Sequence, residues 1–496
     1  MTNAEKYRKF RDELKYYEYA AHVISFDEAT ICPKNDKENS MDVSSFFVRK
    51  IIEINQSDEY YNVIKALVND PEDLNEVDRK AVKFELIELD KKRKIPNELK
   101  FKEMEISDKA SLAWQKAHDD LNYDEFEIQL GKLIDVNKEI IKCLDGKYHG
   151  YDVLLNEMED DFTEEKYDEF FDKLESEIAP LVKKILAMPK KYNTAIAKVK
   201  FPIDKQKELT KRICECMNYT DKNGYIGETL HPFTDCFNSN DVRTTTSYSE
   251  DLLFSNIFSV MHEVGHATYE LQVDHKYDGT VLAGGTSCAI HESQSRFYEN
   301  YLGRSRAFIK FLYPILKDTF PIELNGFTED DIYYYVNDVT AQFTRTEADE
   351  LTYPFHVLIR YKIEKELFSG KLDEKGISSR FNNLMNEYLG IIPNNKKEGC
   401  YQDMHWSSGF GYFPTYALGS AMSAQFYYSI IKDINIDACM EHGNFAPINR
   451  WLGEHVHQYG RSIKNMELIK LATNEEFNPN YYITYLKEKY SKIYNL

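Results

Sequence analysis

His262-Glu263-Val264-Gly265-His266 lies inside Asp251–Val273, a stretch where Phe254, Ile257, Phe258, Met261 and Val264 recur at helical spacing. On a helix, side chains four apart stack on one face, so the two imidazoles converge on one point. Glu263 sits about 100° round the helix from His262, within reach of a water at that point without being a ligand itself. Two imidazoles and a carboxylate are a familiar catalytic zinc set, which leaves a coordination position open for water. In a chain of 496 residues with 13 histidines, the same five residues can also be an ordinary patch of an amphipathic helix. Residues further along the chain decide between these readings.

The third ligand belongs some distance past His266, and His291-Glu292-Ser293-Gln294-Ser295-Arg296 supplies a candidate in Glu292. The loop before it, Gly284-Gly285-Thr286-Ser287, ends in residues suited to cap a helix, which puts Glu292 in an early turn. His291 is the alternative ligand, and taken alone Glu292 with Arg296 reads as a plain i,i+4 ion pair. Thr344-Arg345-Thr346-Glu347-Ala348-Asp349 offers Arg345, whose guanidinium fork suits a carboxylate, although a single arginine is more often a structural ion pair. Gly399-Cys400-Tyr401-Gln402-Asp403-Met404-His405-Trp406 and Gly409–Tyr416 crowd His, Trp and Tyr into a glycine-punctuated loop. His405 with Tyr412 or Tyr416 could donate to the oxyanion of a tetrahedral intermediate, the charge that most needs donors already in place; aromatic core packing is the plainer reading of the two tyrosines.

Composition narrows the partners. The chain carries 62 Lys and Arg against 83 Asp and Glu, a net charge of −21 with no basic block, which argues against nucleic acid and anionic membranes. The N-terminal residues open directly into a charged helical pattern without the apolar core of a signal peptide, so a cytoplasmic protein is expected. Eight scattered cysteines then read as reduced thiols, and Cys214-Glu215-Cys216 alone is weak evidence for a metal. The uncharged run Trp406–Ile431 contains Pro414, Gln425 and several Ser and Gly, which suits a buried helix better than a membrane span.

Helical periodicity covers Lys6–His22, Val43–Val68, Asn75–Lys94, Asn97–Leu144 and Glu164–Ala187, with stops at Pro33, Pro71, Pro96 and Pro189. Around Gly224–Tyr248 the texture changes, and the β-branched Asp241-Val242-Arg243-Thr244-Thr245-Thr246 reads as a strand in a small antiparallel sheet or hairpin before the histidine helix. The fold class is therefore mostly α: a large helical body divided by a cleft, with a small sheet beside the metal helix.

Taken together and in order, Asp241–Thr245, His262–His266, His291–Gln294, Arg345–Asp349 and Gly399–Trp406 resemble the signature set of the carboxypeptidase Taq family of metallocarboxypeptidases. Ile24–Thr30 resembles an N-terminal stretch of that family, with Phe26 where Trp is usual, and Thr344 stands where Ile is usual. The resemblance spans almost the whole chain and implies a single catalytic domain over residues 1–496, two-lobed around a deep groove and neurolysin-like in plan, commonly a homodimer. It implies removal of single residues from peptides with a free C-terminus, with broad preference, using Zn2+ or Co2+. By matching positions, His262, His266 and Glu292 hold the metal, Glu263 is the general base, and Arg243 or Arg345 engages the terminal carboxylate. A zinc oligopeptidase cutting internally, and an inactive peptide-binding scaffold, are the rival readings.

Overall fold

The computed structural model describes residues 1–71 and 73–496, and it is a long succession of helices interrupted by one three-stranded sheet. Four N-terminal helices come first: α1 (Asn3–Thr30), α2 (Lys37–Gln56), α3 (Asp58–Asn69) and α4 (Glu76–Lys94). Thr2 and Glu5 form a reciprocal capping box that starts α1. The helix then runs through the Phe26 stretch to Thr30, further than the expected His22. Tyr7, Leu14, Ile64, Leu67 and Val82 of α1, α3 and α4 form a small apolar interior of their own. Glu85 is buried there, accepting hydrogen bonds from Tyr7 (3.0 Å) and Tyr60 (2.5 Å) with Arg11 at 3.8 Å. A buried carboxylate needs such partners.

Several helices expected as single runs are broken, each for a local reason. Ser57 interrupts Val43–Val68 by capping α3, its hydroxyl accepting from the Tyr60 amide. Leu121, in the left-handed region at φ 60°, divides Asn97–Asp120 from Asp124–Leu144. Pro180, near the start of Ala179–Leu186, separates that helix from Glu164–Glu177. The sheet also differs from an antiparallel hairpin. Strands β1 (Gly224–Glu228), β2 (Thr234–Asn238) and β3 (Asp241–Thr246) lie in the order β1-β3-β2, with β1 parallel and β2 antiparallel to β3.

The main core is one continuous cluster drawn from residue 81 to residue 494. At its centre runs Leu253–Leu271, the helix of the two histidines, apolar on most sides. Phe413–Ile430 is buried likewise, entered through Pro414 in its first turn, as its uncharged sequence suggests. Among the described residues no helix is long and apolar enough to cross a membrane, and all eight cysteines are free thiols.

α1 docks on the sheet. Phe26 packs edge-on to Tyr225, Phe233 and Phe237, and His22 Nδ1 lies 2.8 Å from Asp235 on β2. The Asp235 hydrogen bond raises the His22 pKa above its usual 6.5. A raised folded pKa adds stability that is fully present below the unfolded value and lost as pH rises through the folded one. The wild-type Tm advantage over His22→Gln is therefore expected at pH 6 and gone by pH 8.5. It is worth under about 1 kcal/mol because the pair is half exposed.

Candidate metal centre

Sequence-remote segments meet at the two histidines. A Cβ at Gly265 would lie 2.9 Å from Ser295 Cα, so only glycine lets the histidine helix press against Cys288–Arg296, the helix carrying Glu292. Ser287 caps that second helix, accepting from the Ile290 amide at 3.2 Å. Buried Glu159 ties down the same helix end through Ser287 Oγ (2.7 Å) and the Ala289 amide (3.0 Å). As a result His262, His266 and Glu292 converge, with one ligand atom from each lying within 4.8 Å of the others. Glu292 Oε2 is 3.6 Å from Nε2 of both histidines. Donors about 2.1 Å from a tetrahedral ion stand about 3.4 Å apart, so the set fits zinc in size and in donor type.

Each donor is held from behind. His262 Nδ1 meets Glu299 at 3.0 Å. Glu299 sits where the Glu292 helix widens into π turns over Phe297–Gly303, and it also accepts from Arg296 (3.2 Å) and Arg304 (3.1 Å). Arg296 in turn donates to Glu292 at 2.6 Å, so the expected i,i+4 pair does form, as a partly buried brace on a member of the cluster. Burial raises the Glu292 pKa, but Arg296 and the two histidines outweigh it and keep the carboxylate well below its ordinary range. Burial pulls His266 down to about 3. It acts the same way on His262, where Glu292 and Glu299 reverse the sign and raise it. His291 stands outside the cluster, in contact with His266 through the two Nδ1 atoms.

Glu263 is buried beside its histidines, and burial raises its pKa. Its carboxylate accepts from Thr234 Oγ1 at 2.6 Å, and the same hydroxyl lies 3.0 Å from the Glu263 carbonyl. Strand register explains why. Thr234 pairs with Thr244, and Val242, Thr244 and Thr246 share the face turned to the histidine helix, where Asn256 bonds Thr246 at 2.9 Å. The same alternation turns Arg243 to the opposite face. There it is bidentate to Asp241 (2.9 and 2.8 Å) and lies 4.2 Å over Phe237 and 5.6 Å from Phe26.

Arg345 is placed differently. Its side chain is buried, with Asp403 at 3.0 Å, the Tyr353 hydroxyl at 3.0 Å and the Tyr416 ring at 4.8 Å. The neighbouring Thr344 is exposed, so the substitution there leaves the arginine's surroundings intact. Asp403 is shared with Arg360 at 2.7 Å, and burial holds His356 near 3 and His405 near 4, both neutral. Two guanidinium groups against one carboxylate leave a buried positive charge. Tyr353 links this cluster to the first one, for Arg296 stacks 4.1 Å over its ring.

The rest of the loop is fastened by residues that sequence reasoning passed over. Glu364 accepts from Trp406 Nε1 (2.8 Å), Tyr151 (2.6 Å) and the Gly411 amide (2.6 Å), while Gln402 accepts from the Arg345 amide at 2.6 Å. His405 Nε2 lies 3.0 Å from the Tyr416 hydroxyl, and the Tyr412 ring packs edge-on to Tyr416.

Two histidines and a glutamate meeting between helices, beside a buried carboxylate that is not among them, define a metal-dependent hydrolase. The profile of the carboxypeptidase Taq (M32) metallopeptidases matches residues 6–490. Carboxypeptidase 1 of Bacillus subtilis is 39% identical over 495 residues, 99% of each chain. Thermostable carboxypeptidase 1 of Pyrococcus furiosus is 36% identical over 84% of this chain and 85% of its own. The crystal structure of an M32 carboxypeptidase from Deinococcus radiodurans superposes with a TM-score of 0.95 at 28% identity, covering 100% of both chains. The chain belongs to the carboxypeptidase Taq (M32) family and is a metallocarboxypeptidase, a peptide hydrolase.

Proposed function

We propose that this chain is a zinc-dependent carboxypeptidase of broad preference that removes the last residue of peptides with a free C-terminus. The observation that carries the reading is the single His–His–Glu group among the described residues, set beside a glutamate already aimed by Thr234. His262, His266 and Glu292 hold the ion, for which cobalt is a substitute. When bound, the ion supplies Lewis acidity: it acidifies a water and polarises the scissile carbonyl.

Glu263 takes the proton of the attacking water and returns it to the leaving amine. Its burial supports this role, since the raised pKa brings uptake and release closer to neutral pH. A neutral His405 that donates from Nε2 to the Tyr416 oxygen leaves the tyrosine's own proton free for the oxyanion, with Tyr412 packed beside it. The uncompensated charge of the Arg345–Asp403–Arg360 cluster supports Arg345 as the clamp on the terminal carboxylate. Arg243, bidentate to its own strand's Asp241 and facing away from the histidine helix, is the lesser candidate.

The whole chain acts as one catalytic domain in this reading, two-lobed around a groove. The family match over nearly its full length and the dominant core support one unit, and the separate interior of the N-terminal helices supports the second lobe. Free thiols throughout the described residues agree with a cytoplasmic setting. Met41, Val48 and Ile52 expose an apolar face of α2 that a second copy in a homodimer would cover.

The test is release of free amino acid from an N-blocked dipeptide and from its C-terminally amidated twin, after chelation and re-addition of zinc or cobalt. Metal-dependent release from the free acid alone is expected. Cleavage of both peptides would mean internal cutting, and release from neither would leave a peptide-binding scaffold.

A further inference from the structure

His266 and His262 are backed by different chemistry. Behind His262 stands a carboxylate, Glu299; behind His266 stands another imidazole, His291, and only then a carboxylate, Glu270. The proton positions along this chain follow from the groups themselves. His291 Nε2 lies 2.7 Å from Glu270 Oε1, and burial, which raises the Glu270 pKa, is outweighed by His291 and the Gly285 amide, so the carboxyl sits at about 2. An ionised carboxylate only accepts, so His291 Nε2 carries a hydrogen. A His291 ring with its hydrogen on Nε2 accepts at Nδ1, and the atom facing it, His266 Nδ1, donates. That leaves the lone pair of His266 on Nε2, the nitrogen that faces Glu292.

The surroundings are built to hold this arrangement. A Cβ at Gly285 would lie 2.6 Å from His291 Cδ2 and 2.8 Å from Tyr269 Cε1, so any other residue there would push into the ring. The Gly285 amide donates to the same Glu270 oxygen at 3.0 Å, and Arg461 Nε fixes the Gly285 carbonyl at 3.1 Å. The His291 ring is packed between His266, with centroids 4.6 Å apart, and Tyr269 at 5.2 Å.

We propose that His291 and Glu270 are positioning residues that act as one relay, fixing the tautomer and ring orientation of His266 so that Nε2 presents its lone pair to the ion. The proposal rests on the reading of His262, His266 and Glu292 as metal ligands. Outer partners of ligating histidines are worth about 10–100-fold in metal affinity.

The experiment is zinc affinity of the full-length apo-protein by chelator competition, with the apo-protein's Tm as the fold control. His291→Phe and Glu270→Leu are each expected to raise the zinc Kd by about 10–100-fold. The double variant should be no worse than the poorer single, because a relay is lost whole when either member goes. Glu270→Gln keeps an acceptor at Oε1 for both His291 and Gly285, and should remain within a few-fold of wild type. Wild-type affinity in both disruptive variants would overturn the relay, and so would losses that add in the double. Should Glu270→Leu lose its fold, His291→Phe against Glu270→Gln decides: a weak first and a near-normal second support the relay, and equal affinities overturn it. Failure of the wild-type chain to bind zinc would overturn the ligand reading itself, and the relay with it.

Discussion

Glu263→Gln is expected to lower kcat by about 10²–10⁴-fold, the usual worth of a positioned general base, while zinc content and KM stay near wild type. The substitution is informative because it changes so little else. Thr234 Oγ1 can donate to a glutamine oxygen as it does to Glu263 Oε2, so the side chain stays aimed. Glu263 is also not among the three converging donors, so the ion's ligands are all retained. What goes is the ability to accept a proton. Steady-state kinetics on a blocked dipeptide, with metal quantified in the same samples, checks both halves. Activity within tenfold of wild type would remove Glu263 from the role of base.

Arg345→Gln should cost about 10²–10³-fold in kcat/KM on free-acid peptides, an order of magnitude in keeping with a lost charge-assisted fork that sets the reacting geometry. Wild-type protein owes its preference for a free C-terminus, on this mechanism, to one buried positive charge. Removing Arg345 leaves Arg360 and Asp403 to neutralise each other. The ratio of free-acid to amidated hydrolysis should then collapse towards one, because the free acid falls to the level of the amide. That ratio separates lost recognition from damaged folding, which would lower both rates alike. A ratio kept at the wild-type value would clear Arg345 of carboxylate recognition.

Much of the centre is legible in the sequence, and what is not has physical causes. The H-E-x-x-H spacing fixes a face of one helix, and a capped helix start before Glu292 fixes when the third donor turns inward. Neither says which remote side chains stand behind the donors. Glu299, Glu270 and Thr234 reach the centre from a widened helix, from the end of the histidine helix and from an edge strand. Such meetings depend on tertiary packing, which local periodicity does not encode. The parallel pairing of β1 with β3 is likewise non-local. The direction of Arg243 is a different case. In Asp241–Thr246 a buried Val242 obliges its neighbour to face the other way, so period-2 alternation alone separates Arg243 from the residues that face the histidine helix. The polar members of the loop motif make sense only in three dimensions: Gln402 and Asp403 both fasten Arg345, and Trp406 fastens Glu364.

The π turns over Phe297–Gly303 make the order behind His262 a matter of counting as well as chemistry. A π turn holds one residue more than an α turn, so the stretch acts as an inserted spacer inside a helix that otherwise keeps step. Winding the same residues into α geometry would turn everything beyond by one residue's step, about 100°. Glu299 would swing off His262, and Arg304 would lose both Glu299 and the Val336 carbonyl it also holds. The extra residue held in these seven thus sets which carboxylate stands behind His262 and where Arg304 points, so the backbone winding is as much a part of the centre as its side chains.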